Sequence, residues 1–438
     1  LGCDKNLADS EEMLGLLTGS GHEIVDSEEE AEAIVINTCC FIHDAKEESV
    51  NTILEMAEYK KTGKCKALVV TGCMAQRYKE EITQEIPEVD AVLGTTSYGD
   101  IVKALNEVQA GHVFQEFRDI NELPEDSGRR VLTTGGHFGY LKIAEGCDKH
   151  CTYCIIPSLR GSFRSVPEER LLAQAEYMAS QGVKELILVA QETTVYGTDL
   201  YGRKTLHILL KKLCQIRGIR WIRVLYCYPE EIYDELIQVM KEEKKICNYL
   251  DLPIQHASDR ILKRMGRRTT RKQLTDIITK LRREIPDIVL RTSLITGFPG
   301  ETQEDHEELM EFVDEMEFDR LGVFTYSPEE GTPAESMEGQ VPEEVKEERR
   351  DEIMSLQQEI SLEKGSERIG QELLVMIEGK VSGESAYIGR TYADAPKVDG
   401  YLFVQTGELL VTGDFARVCV TGALEYDLIG ELADEYTE

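Results

Sequence analysis

Cys147-Asp-Lys-His-Cys151-Thr-Tyr-Cys154 is the stretch that indicates the fold of this 438-residue chain. It follows the apolar segment Tyr140–Ala144, which predicts a strand, and a loop this short can present three thiolates to one metal centre. Thiolates suit iron–sulfur clusters and zinc alike, but zinc sites and closed clusters normally take four protein ligands. No fourth cysteine is near in sequence, so the spacing favours a cluster with one open iron. A zinc loop, with His150 as fourth ligand, is the less favoured alternative.

Strand-like and helix-like segments alternate after this loop. Six strand–helix units indicate a parallel α/β sheet curved into a partial (β/α)6 barrel, although periodicity alone does not separate this from an open sheet. We expect this domain to span residues 133–365. The predicted strands are Tyr140–Ala144, Glu185–Ala190, Trp221–Cys227, Tyr249–Leu252, Val289–Ile295 and Leu321–Thr325.

Towards the amino terminus, the short apolar runs Ala33–Ile36, Ala67–Val70 and Ala91–Leu93 flank helical patterns. This alternation predicts a parallel α/β domain over residues 1–118, and the polar stretch Asp119–His137 predicts a linker. The chain begins at Leu1 without a methionine, so we expect that a few residues, including part of a first strand, precede it.

Beyond the barrel, Pro342 begins a charged helix that is predicted to end near Gly365. Short strand-like runs between glycines then predict a small antiparallel β-barrel over residues 367–438. Residues 367–438 carry 5 Lys or Arg against 14 Asp or Glu, a net charge of −9.

The composition points to an intracellular metalloprotein. Twelve cysteines in a long chain indicate metal or redox chemistry rather than disulfides. No apolar run reaches the ~20 residues that span a bilayer, and no secretory signal pattern is present, so we expect a soluble, cytoplasmic protein without a membrane partner. The net charge of −33 argues against a direct nucleic-acid partner.

Three further cysteines, Cys3, Cys39 and Cys73, each follow the end of a predicted strand. In a parallel sheet these ends share one edge, so the three thiols are expected to converge and to bind a second cluster. Gly2 and Gly72 would allow close approach of the backbone. The alternative is that they are ordinary buried cysteines. Cys40 competes with Cys39, since spacing alone does not choose between them.

These motifs resemble the radical S-adenosylmethionine (SAM) methylthiotransferases. The segments that carry the resemblance are the Cys147 motif, Leu1-Gly-Cys3-Asp-Lys-Asn-Leu-Ala-Asp-Ser-Glu11, Asn37-Thr-Cys39 and Thr71-Gly-Cys73, and residues 367–438 resemble a TRAM domain. The resemblance implies two [4Fe-4S] clusters, one held by Cys3, Cys39 and Cys73 and the other by Cys147, Cys151 and Cys154. It also implies SAM contacts from Tyr153 near the adenine, from Glu192 to the amino group and from the turn at Gly297.

The family has two branches. One modifies adenosine in transfer RNA, and the other modifies an aspartate of ribosomal protein S12 in the small subunit. The segments Cys3–Asn6, Ile155–Gly161, Gln191–Gly197 and Pro253–His256 resemble the ribosomal branch, although that branch usually has aspartate where Glu192 stands. The acidic carboxyl-terminal barrel agrees, because a transfer-RNA reader should be basic there and ribosomal proteins are basic. A non-catalytic, zinc-stabilised ribosome-binding module is a third hypothesis.

The resemblance also implies a mechanism. A sulfide on the open iron of the first cluster would be methylated by one SAM. A second SAM would be cleaved at the Cys147 cluster, and its radical would take a hydrogen from the aspartate β-carbon, which then captures the methylthio group. Sulfide and electron donors are implied without being identified. Both clusters should face one cavity between domains, because such a radical needs its target close by. Two further expectations remain. Trp221 should belong to the core. The basic island Arg264–Lys272 could meet the SAM carboxylate or ribosomal RNA, but a solvated helix start is the favoured interpretation.

Overall fold

A computed structural model describes residues 1–125, 128 and 130–437 of the chain. The amino-terminal domain contains strands β1 (Ala33–Thr38), β2 (Ala67–Gly72), β3 (Ala91–Leu93) and β4 (Phe114–Glu116), with helices α1 (Asp4–Gly19), α2 (His43–Thr62), α3 (Cys73–Arg77), α4 (Lys79–Glu85) and α5 (Ile101–Gln109). The strands are parallel and lie in chain order. Leu68 and Val70 face one apolar cluster while Ala67 and Val69 face another, which explains why this strand is a continuous apolar run.

Two details of this domain differ from the sequence prediction. Leu1–Cys3 form no strand, and Cys3 instead adopts an extended conformation that leads directly into α1. The edge strand β4 was not predicted, because its sequence Phe114-Gln-Glu116 contains only one apolar residue and forms no apolar run. Between Asp119 and His137, the described residues form no helix or strand; residues 126, 127 and 129 of this predicted linker lie outside the described residues.

The central domain is a six-stranded parallel sheet. Its strands are β5 (Phe138–Lys142), β8 (Glu185–Val189), β9 (Trp221–Val224), β10 (Ile246–Asp251), β11 (Val289–Thr296) and β12 (Arg320–Thr325). A two-stranded hairpin, β6 (Ala144–Glu145) and β7 (Arg164–Ser165), lies beside the barrel mouth. The order β12-β11-β10-β9-β8-β5 leaves two unpaired edges, as a partial barrel requires. Its helices are α6 (Ile156–Arg160), α7 (Glu168–Ser180), α8 (Thr198–Tyr201), α9 (Leu206–Leu213), α10 (Asp234–Glu242), α11 (Asp259–Arg264), α12 (Arg271–Glu284) and α13 (Gln303–Met316).

The long helix α14 (Glu343–Ser366) leads to a closed five-stranded barrel of β13 (Glu372–Lys380), β14 (Ala386–Arg390), β15 (Leu402–Gln405), β16 (Phe415–Ala423) and β17 (Leu428–Thr437). The predicted antiparallel barrel is present with one exception, since β15 and β17 pair in parallel. The order β13-β14-β15-β17-β16 explains the exception. Strand direction cannot alternate all the way around a closed barrel of five strands, so one neighbouring pair must be parallel.

The carboxyl-terminal barrel packs against the central sheet, where its residues Met376 and Phe415 share one apolar cluster with residues of β5, β8, β9, β10 and β11. Trp221 of β9 meets the Phe415 ring edge-on at 4.8 Å, so the expectation that Trp221 belongs to the core is confirmed. Buried charges cross the same interface: Glu185 of β8 accepts hydrogen bonds from Arg223 and from Arg390 of β14, each at 2.8 Å. The interface is thus fixed by directional contacts as well as by apolar area.

None of the described helices combines the length and the apolar character needed to cross a bilayer.

Candidate active site

The Cys147 motif forms a loop between β6 and α6. Gly146 has φ +72°, and a Cβ there would lie 2.1 Å from the Ser162 carbonyl oxygen, so the loop can close only on glycine. The Cys147 amide donates to the Gly161 carbonyl at 3.1 Å, which ties the two ends together. Burial raises the pKa of Cys147 to about 11 and that of Cys154 to about 12. Thiols in this setting ionise only beside strong positive charge, which an iron–sulfur cluster supplies.

The other three predicted ligands meet at the carboxyl edge of the first sheet. Cys39 follows β1, Cys73 begins α3 directly after β2, and Cys3 immediately precedes α1. A Cβ on Gly2 would lie 3.2 Å from the Cys39 sulfur. Burial, followed by the neighbouring thiols of Cys73 and Cys3, raises the pKa of Cys39 to about 11. The structure therefore brings together three cysteines that are far apart in sequence.

Cys40 is placed differently from Cys39. It is fully buried in the apolar cluster beneath β1 and β2, and its thiol hydrogen-bonds with Arg77. Burial raises its pKa to about 12. Arg77 in turn pairs with Glu329 at 3.1 Å. Cys73 belongs to the same apolar cluster, so burial does not separate the two candidates. The Arg77 contact favours Cys40 as a structural residue and leaves Cys39 as the candidate ligand.

Arg160, at the end of α6, connects the two cysteine sets. Its guanidinium donates to Asn6 Oδ1 at 2.6 Å, to Asp9 at 3.2 Å and to Glu145 at 3.1 Å. It also hydrogen-bonds with the Cys73 thiol. Arg160 lowers the pKa of that thiol, but burial has the larger effect and raises it. The helix that follows the second triplet thus reaches the first triplet, and both sets lie at one interdomain edge.

Glu192, after β8, has the property expected of a cation-binding carboxylate. It is almost wholly buried, and its Oε1 accepts from the backbone and side chain of Thr194, whereas its Oε2 has no hydrogen-bond partner. Burial raises its pKa to about 7. The carboxylate is near enough to Cys147 to raise the pKa of that thiol. An ammonium group from a ligand would satisfy the open oxygen.

The other two predicted SAM contacts, Tyr153 and Gly297, lie close together, and packing explains why the second position is glycine. Tyr153 packs edge-on against Phe298, with ring centroids 6.3 Å apart, so Tyr153 adjoins the turn that begins at Gly297. Gly297 has φ +68°, and a Cβ there would lie 2.1 Å from Lys346 Cγ. The glycine is therefore required by the packing of α14, whatever it does for a ligand.

Three family models match successive parts of the chain. They are Uncharacterized protein family UPF0004 at residues 1–94, the Radical SAM superfamily at residues 141–313 and the TRAM domain at residues 369–433. Ribosomal protein uS12 methylthiotransferase RimO of Lachnoclostridium phytofermentans is 64% identical over 98% of this chain and 98% of its own length. The chain belongs to the RimO family. The resemblance to methylthiotransferases, and to their ribosomal branch, is confirmed.

A second RimO, from Pelotomaculum thermopropionicum, is 51% identical over 98% of this chain and 97% of its own length. Among solved structures, the radical S-adenosylmethionine methyltransferase TsrM of Kitasatospora setae, with cobalamin and a [4Fe-4S] cluster bound, has a TM-score of 0.54. The two share 13% identity over 75% of this chain and 73% of TsrM, so this likeness concerns the fold.

The donor sets of this RimO-family chain fit clusters better than a lone ion. In the described part of the chain, no three His, Cys, Asp or Glu side chains are arranged to hold one metal ion. A zinc ion needs all its ligands around one point, whereas each cysteine of a cubane binds a different iron atom. Three thiols in a set, one for each of three irons, are therefore a donor set that fits the chemistry of a cubane.

Sequence reasoning missed one residue beside the Cys147 triplet and predicted the wrong environment for a second. Tyr228, after β9, places its hydroxyl 3.6 Å from the Cys151 sulfur. Arg267 stacks on the Tyr228 ring at 4.2 Å and is buried, so the expectation that its basic island is a solvated helix start is wrong at this position. The Arg267 Nε and Nη1 atoms lack hydrogen-bond partners among the described residues. A signal was available, because two tyrosines flank Cys227 at the end of a barrel strand.

Proposed function

We propose that this protein attaches a methylthio group to the β-carbon of an aspartate in ribosomal protein uS12, using SAM and two [4Fe-4S] clusters. The observation that carries the proposal is the contact of Arg160, which ends the helix after the Cys147 triplet, with Cys73 of the other triplet. A cubane held by either triplet would have one iron without a protein ligand. Relatives named uS12 methylthiotransferases match nearly the whole chain, which supports the substrate.

The chain offers a consistent SAM site beside Cys147, Cys151 and Cys154. Glu192 would accept the SAM ammonium on its open Oε2 atom, because that oxygen is buried and unsatisfied. Tyr153 and the turn after β11 would contact the adenine, since Tyr153 packs on Phe298. When bound, SAM and the clusters supply the radical and the methylthio group.

The protein's own residues orient these groups and keep water away. Cys147 and Cys151 are buried, and Tyr228 and Arg267 cover one side of Cys151. On the other side, Asn6 fixes α1 to the end of β1, since its amide donates to the Thr38 carbonyl at 3.0 Å. Fixed geometry matters here, because a reactive radical must meet one carbon before any other.

Charge separates this proposal from modification of transfer RNA. Residues 367–438, the domain that would contact RNA, carry a net charge of −9. Phosphate backbones are bound by Lys and Arg, and their affinity falls steeply with salt. An acidic surface is instead complementary to a basic ribosomal protein.

The experiment is mass spectrometry of uS12 from cells with and without this gene. We expect one methylthio group on a single aspartate, present only with the gene. Complementation with Cys147→Ala should fail. Cys214→Ala, a buried cysteine in the apolar cluster of the central domain, should restore the modification and serves as the matched control. A uS12 mass that is the same with and without the gene would reject the substrate.

A further inference from the structure

Lys5 is a buried cation without an anionic partner. Its side chain belongs to the first turn of α1, and the residue is 6% exposed. Within the described residues, Nζ has no carboxylate oxygen within 4.0 Å and donates no hydrogen bond. Nζ instead lies over the face of the Tyr226 ring, 3.3 Å from the ring centroid. Nζ is not one of the fully enclosed polar atoms without a partner, so an anion could still reach it, and a largely buried cation without a partner favours such binding.

The other buried cations show how unusual this is. Of nine buried Lys and Arg residues among those described, the eight besides Lys5 each have a carboxylate oxygen within 3.8 Å. The eight are Arg130, Lys142, Arg160, Arg223, Arg267, Lys346, Arg349 and Arg390. Pairing is therefore the rule inside this protein, and Lys5 departs from it at the interdomain edge.

Tyr226 holds the aromatic face in a fixed position. Its φ is +60°, a left-handed conformation that is unusual for a bulky residue and is maintained only by surrounding contacts. Here the Tyr226 amide donates to Asp251 at 3.0 Å, its carbonyl accepts from the Thr193 amide at 3.0 Å, and its hydroxyl donates to Asp4 at 3.2 Å. Strain of this kind concentrates at functional sites.

Lys5 also joins the two domains that carry the cysteine sets, since it lies in α1 and contacts Tyr226 of the central domain. Cys3 precedes it by two residues, and on the other side Tyr226 is two residues from Tyr228, whose hydroxyl adjoins Cys151. Under the proposed function, the target carbon must lie between these sets. The carboxylate of an aspartate is one bond from its β-carbon, so a cation that holds this carboxylate would also place the carbon.

We propose that Lys5 binds the side-chain carboxylate of the target aspartate, with Tyr226 as the positioning residue beneath its ammonium. This inference rests on the proposed function and adds a residue that selects aspartate over asparagine. The carboxylate of SAM has the same chemistry, so the experiment must separate the two sources.

The test measures binding of uS12, free and within the small subunit, to the anaerobically reconstituted protein. Two forms of uS12 are compared, with aspartate or asparagine at the target position. The wild type should bind the aspartate form at least tenfold more tightly. Lys5→Met should bind both forms equally, and Lys5→Arg should keep the preference. Lys79→Met is the matched control, because Lys79 also lies over an aromatic ring, Phe117 at 5.3 Å, but is exposed.

Four results would overturn the assignment of Lys5. A wild type without preference, or a Lys5→Met variant that keeps it, would show that another group reads the carboxylate. Tenfold weaker SAM binding by Lys5→Met without uS12, measured by equilibrium dialysis, would assign Lys5 to SAM. Loss of iron from Lys5→Met would assign it to the cluster. If the wild type transfers no methylthio group to uS12, the proposed function itself fails, which is a separate result.

Discussion

Replacing Cys39 by alanine should remove one iron–sulfur cluster, whereas replacing the adjacent Cys40 should remove none. Cys39 lies beside Cys3 and Cys73 at the sheet edge, and the backbone of Gly2 packs against it. Cys40 packs in the apolar cluster and contacts Arg77. The two residues are neighbours in sequence with the same side chain, so the pair isolates position as the variable.

The expected magnitudes follow from ligand counting and burial. The reconstituted wild type should hold about eight iron atoms per chain, from two four-iron clusters. Cys39→Ala should hold about four, because two thiolates do not retain a cubane. Cys40→Ala should keep about eight, and loss of one buried sulfur with the cavity it leaves should cost about 1 to 2 kcal/mol of unfolding free energy.

The assay is iron and sulfide content after anaerobic reconstitution, repeated in a chain whose Cys147, Cys151 and Cys154 are all alanine. That background should hold about four iron atoms per chain, which Cys39→Ala should reduce to near zero. Thermal unfolding of the Cys40→Ala variant reports its stability separately. If Cys40→Ala loses the iron and Cys39→Ala keeps it, the ligand assignment is refuted.

Three further predictions test other parts of the structure. Glu192→Gln should weaken SAM binding by about 2 kcal/mol, or roughly 30-fold in Kd by equilibrium dialysis, because Oε2 loses its charge; an unchanged Kd would count against the ammonium contact. Arg390→Met should lower the unfolding free energy by about 3 to 5 kcal/mol in urea titrations, because it leaves Glu185 and Glu378 short of a buried partner; a loss below about 1 kcal/mol would contradict this. Asp305 is buried, which would raise its pKa, but hydrogen bonds from Arg260, Ser258 and Thr302 outweigh this and hold its pKa well below the usual range, so its stabilisation is present above about pH 4 and is lost as pH falls. Asp305→Asn should therefore flatten the acid limb of stability against pH, and an acid limb as steep as that of the wild type would argue against it.

The cysteine sets were predictable because the information is local. Cys147, Cys151 and Cys154 share one loop, so their spacing alone limits what they bind. Cys39 and Cys73 each follow a strand, and the parallel sheet that the apolar runs predict brings those ends together. Cys3 also lies near Cys39, as predicted, but it precedes a helix rather than following a strand. Spacing alone did not choose between Cys39 and Cys40; the family resemblance favoured Cys39, and the fold adds the contact of Cys40 with Arg77.

The contacts that join the domains could not be predicted from the sequence. Arg160 reaches Asn6 across 154 positions of the chain, and no local pattern marks either residue as a partner of the other. Arg267 belongs to a basic island that looks solvated in sequence, yet Tyr228 and the Pro253 carbonyl bury it. Long-range pairing of this kind depends on tertiary structure, so the charge pattern of one segment does not predict it.

Buried ion pairs cross both interfaces of the central domain, and they explain how the domains of an acidic protein keep fixed positions. On one side, Lys142 pairs with Asp9 of α1, and Arg130 pairs with Glu11 of the same helix. On the other, Arg223 and Arg390 share Glu185. Buried ion pairs add little net stability, but each accepts only one geometry, so misaligned domains would leave charges unsatisfied. The position of α1, which follows Cys3, is thereby fixed against the central domain by pairs that involve no cysteine, and a substitution such as Lys142→Met should disturb transfer to uS12 without removing a single ligand.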